Sequence, residues 1–320
     1  MTTYPVDMSV KPDVKGFFDP QTNTISYIVK DPASNACAIV DSVMDIDYAA
    51  GRITFEHADE LIANVTARGL EVQWLIETHV HADHLSAAPY IQQKLGGKIG
   101  IGANITIVQD TFGKVFNEGT EFQRDGSQFD RLFEEGDTYK IGEMNAFVMH
   151  TPGPTPACMT HVIGDAAFVG DTLFMPDGGS ARADFPGGDA GTLYDSIQKV
   201  LALPDDTRLF MCHDYGPNGR EIRWQTTVGD EKAHNIHVGQ GKSREDFVAL
   251  REARDLLEEF RFEDFHRKER NEAHHAANLQ RHVAVVGEVQ DVVVKLVLLV
   301  PQPEPLFLSL IHISEPTRLQ

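Results

Sequence analysis

The segment Thr78-His79-Val80-His81-Ala82-Asp83-His84 constrains this chain more than any other. Three imidazoles and a carboxylate fall within six residues, directly after the apolar run EVQWLIETH. Such a density of donors is hard to explain as packing. At neutral pH imidazole is a good ligand for zinc or iron, and a carboxylate completes such a site. In an extended turn His79 and His81 point the same way, while Asp83 and His84 open the next segment and can face a second position. The cluster sits where a buried-type strand ends and the chain swings toward a helix.

Two later segments obey the same logic. Phe168-Val169-Gly170-Asp171 closes an apolar run with a glycine and a carboxylate. Leu209-Phe210-Met211-Cys212-His213-Asp214-Tyr215 closes another with a histidine. Alone, a strand-end aspartate reads as a turn former and a lone histidine as a satisfied polar group. Beside the first cluster they form an ordered set of strand-end ligands.

The elements around them alternate. TISYIVKD and ACAIVDSV, split by the turn PASN, predict a β-meander. HADELIANVTARG predicts a helix stopped at Gly69, and LSAAPYIQQKLGG a second. A looser middle precedes the strands DTYKIG and NAFVMH and a hairpin turning at Gly164-Asp165. LYDSIQKVLALP and SREDFVALREARDLLEEF read as helices flanking the strand RLFMCHD. The class is α/β in two similar halves, without a short repeat.

Composition narrows the function. A formal charge of −20 argues against a nucleic-acid partner, since phosphate contacts need a positive surface. Val283 to Val300 is apolar but interrupted by Glu288, Asp291 and Lys295, which disqualifies it as a membrane span. No basic n-region and apolar h-region opens the chain, so no secretory signal is expected. Cys37, Cys158 and Cys212 are odd in number and far apart, so a reducing cytoplasm is the expected compartment. A homodimer is one possible assembly.

The ordered donors resemble the metallo-β-lactamase superfamily, whose pattern is HxHxDH, a histidine in a Pro-Gly-His turn, then Asp, then His. GDTLFMPDGGSARADFPGGDAGTLYDSI and CHDY are most similar to the persulfide dioxygenase (sulfur dioxygenase, ethylmalonic encephalopathy protein) branch, related to glyoxalase II. The resemblance covers roughly residues 15 to 255. It implies a four-layer αββα sandwich with a metal at one edge of the two sheets. It also implies oxidation of glutathione persulfide by dioxygen at one Fe(II), held by His79, Asp171 and the turn histidine. His81, Asp83, His84 and His213 would line the same pocket. Arg182 would support the site loop, meet an anionic thiol substrate or form a surface salt bridge, and Tyr215 would hydrogen-bond substrate or close the core.

Here, however, the turn reads Pro152-Gly153-Pro154, and proline offers no side-chain donor. Three readings are open. The triad is lost and iron binds poorly; or a metal uses Asp83, His84, Asp171 and His213, where zinc would hydrolyse a glutathione thioester; or Pro154 is a point variant one base from histidine. The first also admits a metal-poor, non-catalytic relative. His150, four residues upstream, is a weaker stand-in ligand. Cys158 and Cys212 read as inert packing. From residue 256 the chain departs from the family's ending, and Leu308 to Arg318 (LSLIHISEPTR) resembles a translated sequencing adaptor. The expectation is a catalytic domain over residues 1–255 and a tail over 256–320 joined by a frameshift or chimeric junction.

Overall fold

A computed structural model describes residues 6–47, 52–81, 83–115 and 122–255. The first sheet has six strands in the spatial order Asp13–Asp19, Thr24–Lys30, Ala36–Val40, Glu71–Ile76, Lys98–Gly102 and Arg131–Phe133. Its first three strands form the expected meander, closed by Asp31, whose carboxylate accepts from Ala33 N and Ser34 Oγ at the PASN turn. The remaining neighbours pair in parallel and therefore need crossovers. The helices Glu56–Ala67, Ala88–Leu95 and Ile105–Val115 supply them.

The second sheet runs Thr138–Ile141, Met144–His150, Met159–Ile163, Ala166–Phe168, Arg208–Phe210 and Gln225–Thr227. Its hairpin turns at Gly164, whose φ of 57° requires a residue tolerant of the left-handed region. The helices Ala190–Leu201 and Val228–His234, and a further helix over 244–255, cover its outer face.

Side-chain alternation builds the layers. On one strand Leu209 points to the outer helices, beside Leu193, Ile197 and Phe247, while Phe210 points between the sheets. On the first sheet Ile39 meets Leu61 and Ile91 of its helices, while Ala38 and Val40 face Ile141, Val148 and Phe168. Three buried clusters stack helix–sheet, sheet–sheet and sheet–helix, which is the αββα sandwich.

Backbone bonds join the sheets at one edge. Ile25 N donates to Cys212 O (2.7 Å), Met159 N to Thr78 O (2.8 Å) and Asp214 N to Asn23 O (3.2 Å).

Two local expectations need correction. The looser middle holds the inner strand Lys98–Gly102 and the edge strand Arg131–Phe133 with a helix between them; KIGIG is short and glycine-rich and RLF has only three residues, so neither shows a period. The second helix begins at Ala88, because Leu85–Ser86 pairs with Val43–Asp47 in a small three-stranded sheet. The segment Val283–Val300 and the tail 256–320 lie outside the described residues. Among the described residues no helix is long and apolar enough to cross a membrane, and all three cysteines are buried and free.

The loop after Asp171 rests on the segment that begins with Val228–His234. Asn235 Nδ2 donates to Gly179 O (3.0 Å) and to Glu231 Oε2 (2.6 Å), and Ile236 N donates to Pro176 O (2.9 Å). Glu231 is fully buried, with no hydrogen-bond partner at Oε1. Burial, helped by Asp230 and Asp177, pushes its pKa up to about 8, against about 4.3 unfolded. Between these values the unfolded chain has lost a proton that the folded chain keeps, so stability falls as pH rises through that window. Glu231→Gln is expected to raise the melting temperature, and more at pH about 8.5 than at about 5.5, in paired thermal unfolding scans.

Candidate metal centre

Asp41 succeeds the buried strand Ala36–Val40 with φ of 51°, a left-handed conformation that aspartate tolerates better than most residues. That bend turns its carboxylate onto the end of the neighbouring strand. Thr78 N and Thr78 Oγ1 donate to its two oxygens, each at 2.8 Å. With the threonine proton so committed, the 2.8 Å contact between Thr78 Oγ1 and His79 Nδ1 requires the ring to donate. His79 Nε2 then carries the lone pair. It is buried, without a hydrogen-bond partner, 3.4 Å from Asp171 Oδ2.

His81 takes the opposite tautomer. Its Nε2 lies 2.9 Å from Glu77 Oε2 and 3.4 Å from Asp41 Oδ1, so Nε2 holds the proton and Nδ1 is the atom open to a metal. Burial alone would lower the His81 pKa, but hydrogen bonds to Asp41 and Glu77 hold it well above the ordinary value. A metal there must displace a proton. His84 turns Nδ1 to Asp83 Oδ2 (3.1 Å), leaving Nε2 buried and without a hydrogen-bond partner. Burial and the charge of His81 push the His84 pKa down to about 4, so this ring is neutral at physiological pH.

Asp171 arrives from the other sheet. Gly170 turns the chain with φ of 53°, and a Cβ there would stand 2.7 Å from Thr78 Oγ1 and 3.1 Å from His79 Nδ1. Only glycine lets the two strand ends approach this closely. Asp171 then presents Oδ2 to His79 Nε2 and Oδ1 to His213 Nε2, both at 3.4 Å. Burial would raise its pKa, but the flanking His79 and His213 lower it, so it stays ionised. Thr24, bridged to His213 through the backbone, directs Oγ1 to Asp83 Oδ2 (3.0 Å) and lies 3.4 Å from Nδ1 of both His84 and His213.

The sequence-predicted donors His79, His81, Asp83, His84, Asp171 and His213 thus converge. Potential ligand atoms of His79, Asp171, Cys212 and His213 lie within 4.8 Å of one another, as do those of His81, Asp83 and His84. Buried imidazole nitrogens with open lone pairs, facing ionised carboxylates, fit a divalent metal and are costly without one.

The other predicted residues are not among these donor groups. Tyr215 is 59% exposed and stacks on the His213 ring at 6.0 Å, with Phe174 edge-on at 5.9 Å. Arg182 hydrogen-bonds Asp184 and lies over the Phe185 ring. His150 turns Nε2 to Pro156 O at 2.8 Å. Pro154 is buried in a turn pinned to the helix Ala190–Leu201, where Ser196 Oγ donates to Pro152 O (2.5 Å). Neither His150 nor that turn contributes to the donor groups found among the described residues.

Sequence reasoning misses Asp41, Glu77 and Thr24, each a polar residue at the edge of an apolar run. Cys212 reads as packing in the sequence, whereas the structure places its sulfur among the donors while burial drives its pKa well above the usual thiol range.

This fold and donor set define a class, and the Metallo-beta-lactamase superfamily profile matches residues 20–213. The chain belongs to that superfamily. It is 58% identical over 252 residues to a probable metallo-hydrolase of Burkholderia pseudomallei, covering 76% of this chain and 86% of that protein. It is 52% identical over 244 residues to a beta-lactamase hydrolase-like protein of Agrobacterium fabrum; the match covers 76% of this chain but only 56% of that relative. The human mitochondrial persulfide dioxygenase ETHE1 is 28% identical over 240 residues, 74% of this chain and 79% of the relative. The crystal structure of ETHE1 from Myxococcus xanthus superposes with a TM-score of 0.61 at 28% identity, covering 75% of this chain and 90% of that one.

If the turn at 152–154 has lost a ligand, returning it must increase binding. Pro154→His is expected to raise the iron bound per chain after equal Fe(II) loading, measured by elemental analysis. Unchanged iron content would show that position 154 does not reach the donors.

Proposed function

We propose that the chain is a non-haem iron persulfide dioxygenase, oxidising glutathione persulfide with dioxygen and water to sulfite and glutathione. The observation that carries this reading is the placement of Asp171 between His79 and His213, one carboxylate oxygen toward each ring. Two histidines and a carboxylate are the donor set of oxygen-activating Fe(II) sites that keep positions open. This set requires nothing from Pro154. Similarity to the persulfide dioxygenases supports the reaction class.

Fe(II) held by these residues would supply a centre able to bind both the persulfide sulfur and dioxygen, and proximity would then lower the barrier. The protein's share is placement. Thr78 fixes the His79 ring by accepting from its Nδ1, and Thr24 holds Asp83 beside His213. Phe174 and Tyr215 flank His213 with aromatic surface against which the carbon skeleton of a small thiol can pack. Arg182, tied to Asp184, would act by supporting the loop after Asp171.

A second reading has its own support. Asp83, His84, Asp171 and His213 are all in place, and a relative at 58% identity is described as a probable metallo-hydrolase. Zinc on those residues would supply hydroxide for hydrolysis of a glutathione thioester.

Purified protein is expected to carry iron and to consume oxygen when given glutathione persulfide, measured by elemental analysis and an oxygen electrode. Zinc together with thioester hydrolysis and no oxygen uptake would reverse the assignment. A protein without metal or either activity would be a non-catalytic relative.

A further inference from the structure

We propose that Glu77 is a positioning residue that braces the ligand loop His79–His84 across itself. This inference rests on the reading of that loop as part of a metal centre. Glu77 is 1% exposed, and no motif of the superfamily's donor pattern includes it. Its backbone N donates to Gly100 O (2.9 Å), which fixes it to the sheet just before the loop departs. Its two carboxylate oxygens then reach two separate points on the chain beyond it. Oε2 accepts from His81 Nε2 in the middle of the loop (2.9 Å), and Oε1 accepts from Ser86 Oγ just past the loop's end (2.6 Å).

Both far ends of this brace are themselves fixed. Ser86 pairs with Val43 in the small sheet, and its Oγ accepts from Ala88 N (3.1 Å), which leaves its proton for Glu77. Asp41 also approaches His81 Nε2, but at 3.4 Å against 2.9 Å for Glu77. Glu77 is therefore the nearer partner for the His81 proton. The consequence is chemical as well as mechanical. A carboxylate on Nε2–H raises the basicity of Nδ1 and fixes the ring's orientation, the effect that partners of ligand histidines have on bound metals. Because the turn at 152–154 supplies no donor, the geometry of this loop bears directly on how a metal is held.

Two substitutions separate reach from charge. Glu77→Asp keeps the charge but is one methylene too short to span His81 and Ser86; Glu77→Gln keeps the span and removes the charge. Cobalt(II) is the probe, loaded into the metal-free full chain, with affinity measured by chelator competition and geometry by the visible ligand-field bands. Amide hydrogen exchange over 78–86 is read in the same proteins without metal. Glu77→Asp is expected to weaken cobalt binding by about 10- to 100-fold, shift the bands and speed exchange in the loop alone. Glu77→Gln is expected to weaken binding with little change in exchange.

A folded Glu77→Asp protein with wild-type cobalt affinity, spectrum and loop exchange would overturn the proposal. Should wild type itself take up no cobalt, the metal-centre reading fails, and the brace is decided by exchange alone: faster exchange in Glu77→Asp supports it, unchanged exchange ends it. If Glu77→Asp does not fold, Ser86→Ala removes one end of the brace with the loss of a single hydroxyl, and the same readouts apply.

Discussion

The carboxylate of Asp41 is the contact on which the rest of the site depends. Its two bonds to Thr78 set the direction in which the chain leaves the sheet, and they orient the hydroxyl that fixes the His79 ring. From there the dependence passes outward, since Asp171 reaches His79 only because Gly170 lets its strand end pass close to Thr78. A buried carboxylate is expensive unless fully hydrogen-bonded, and Asp41 is bonded through both oxygens. The site is thus organised by a residue whose carboxylate also lies within 4.8 Å of ligand atoms of His79 and His81.

The donors are legible in the sequence because each breaks an apolar run at its end. HVHADH, Asp171 and His213 stand out against EVQWLIE, AAFVG and RLFMC, and the ends of neighbouring strands in an α/β sheet are where the chain brings side chains together. The helices and hairpins around them are legible from period and turn chemistry. Asp41, Glu77 and Thr24 are not legible, for a physical reason. Each sits at the edge of an apolar run, where a polar residue draws no notice; Thr24 and Asp41 act through partners distant in sequence, Asp83 and Thr78, and Glu77 acts on His81 and Ser86 only because the loop folds back over it. Lys98–Gly102 escapes notice because a strand of KIGIG, buried at an inner position, has too little side chain to show alternation.

Pro154 is the sharpest departure from the family pattern. In the folded chain its effect is narrower. The turn is anchored to the helix Ala190–Leu201 through Pro152 and Gly153, whose carbonyl accepts from Asp189 N (2.9 Å), and that packing does not depend on the side chain at 154. Position 154 adds no ligand atom to the donor groups found among the described residues. His79 and His213 flank Asp171 as one set of two histidines and a carboxylate, beside a second formed by His81, Asp83 and His84.

The backbone bonds that join the sheets at Ile25–Cys212, Thr78–Met159 and Asn23–Asp214 have a mechanical meaning. They act as rivets along the edge that holds the donors. A sandwich riveted at one edge can breathe at the opposite edge without altering the distances between Asp171 and its two histidines. Phe174 and Tyr215, which pack on the His213 ring, are not among these joints, so substitutions there can reshape the surface beside the donors while the riveted edge stays fixed.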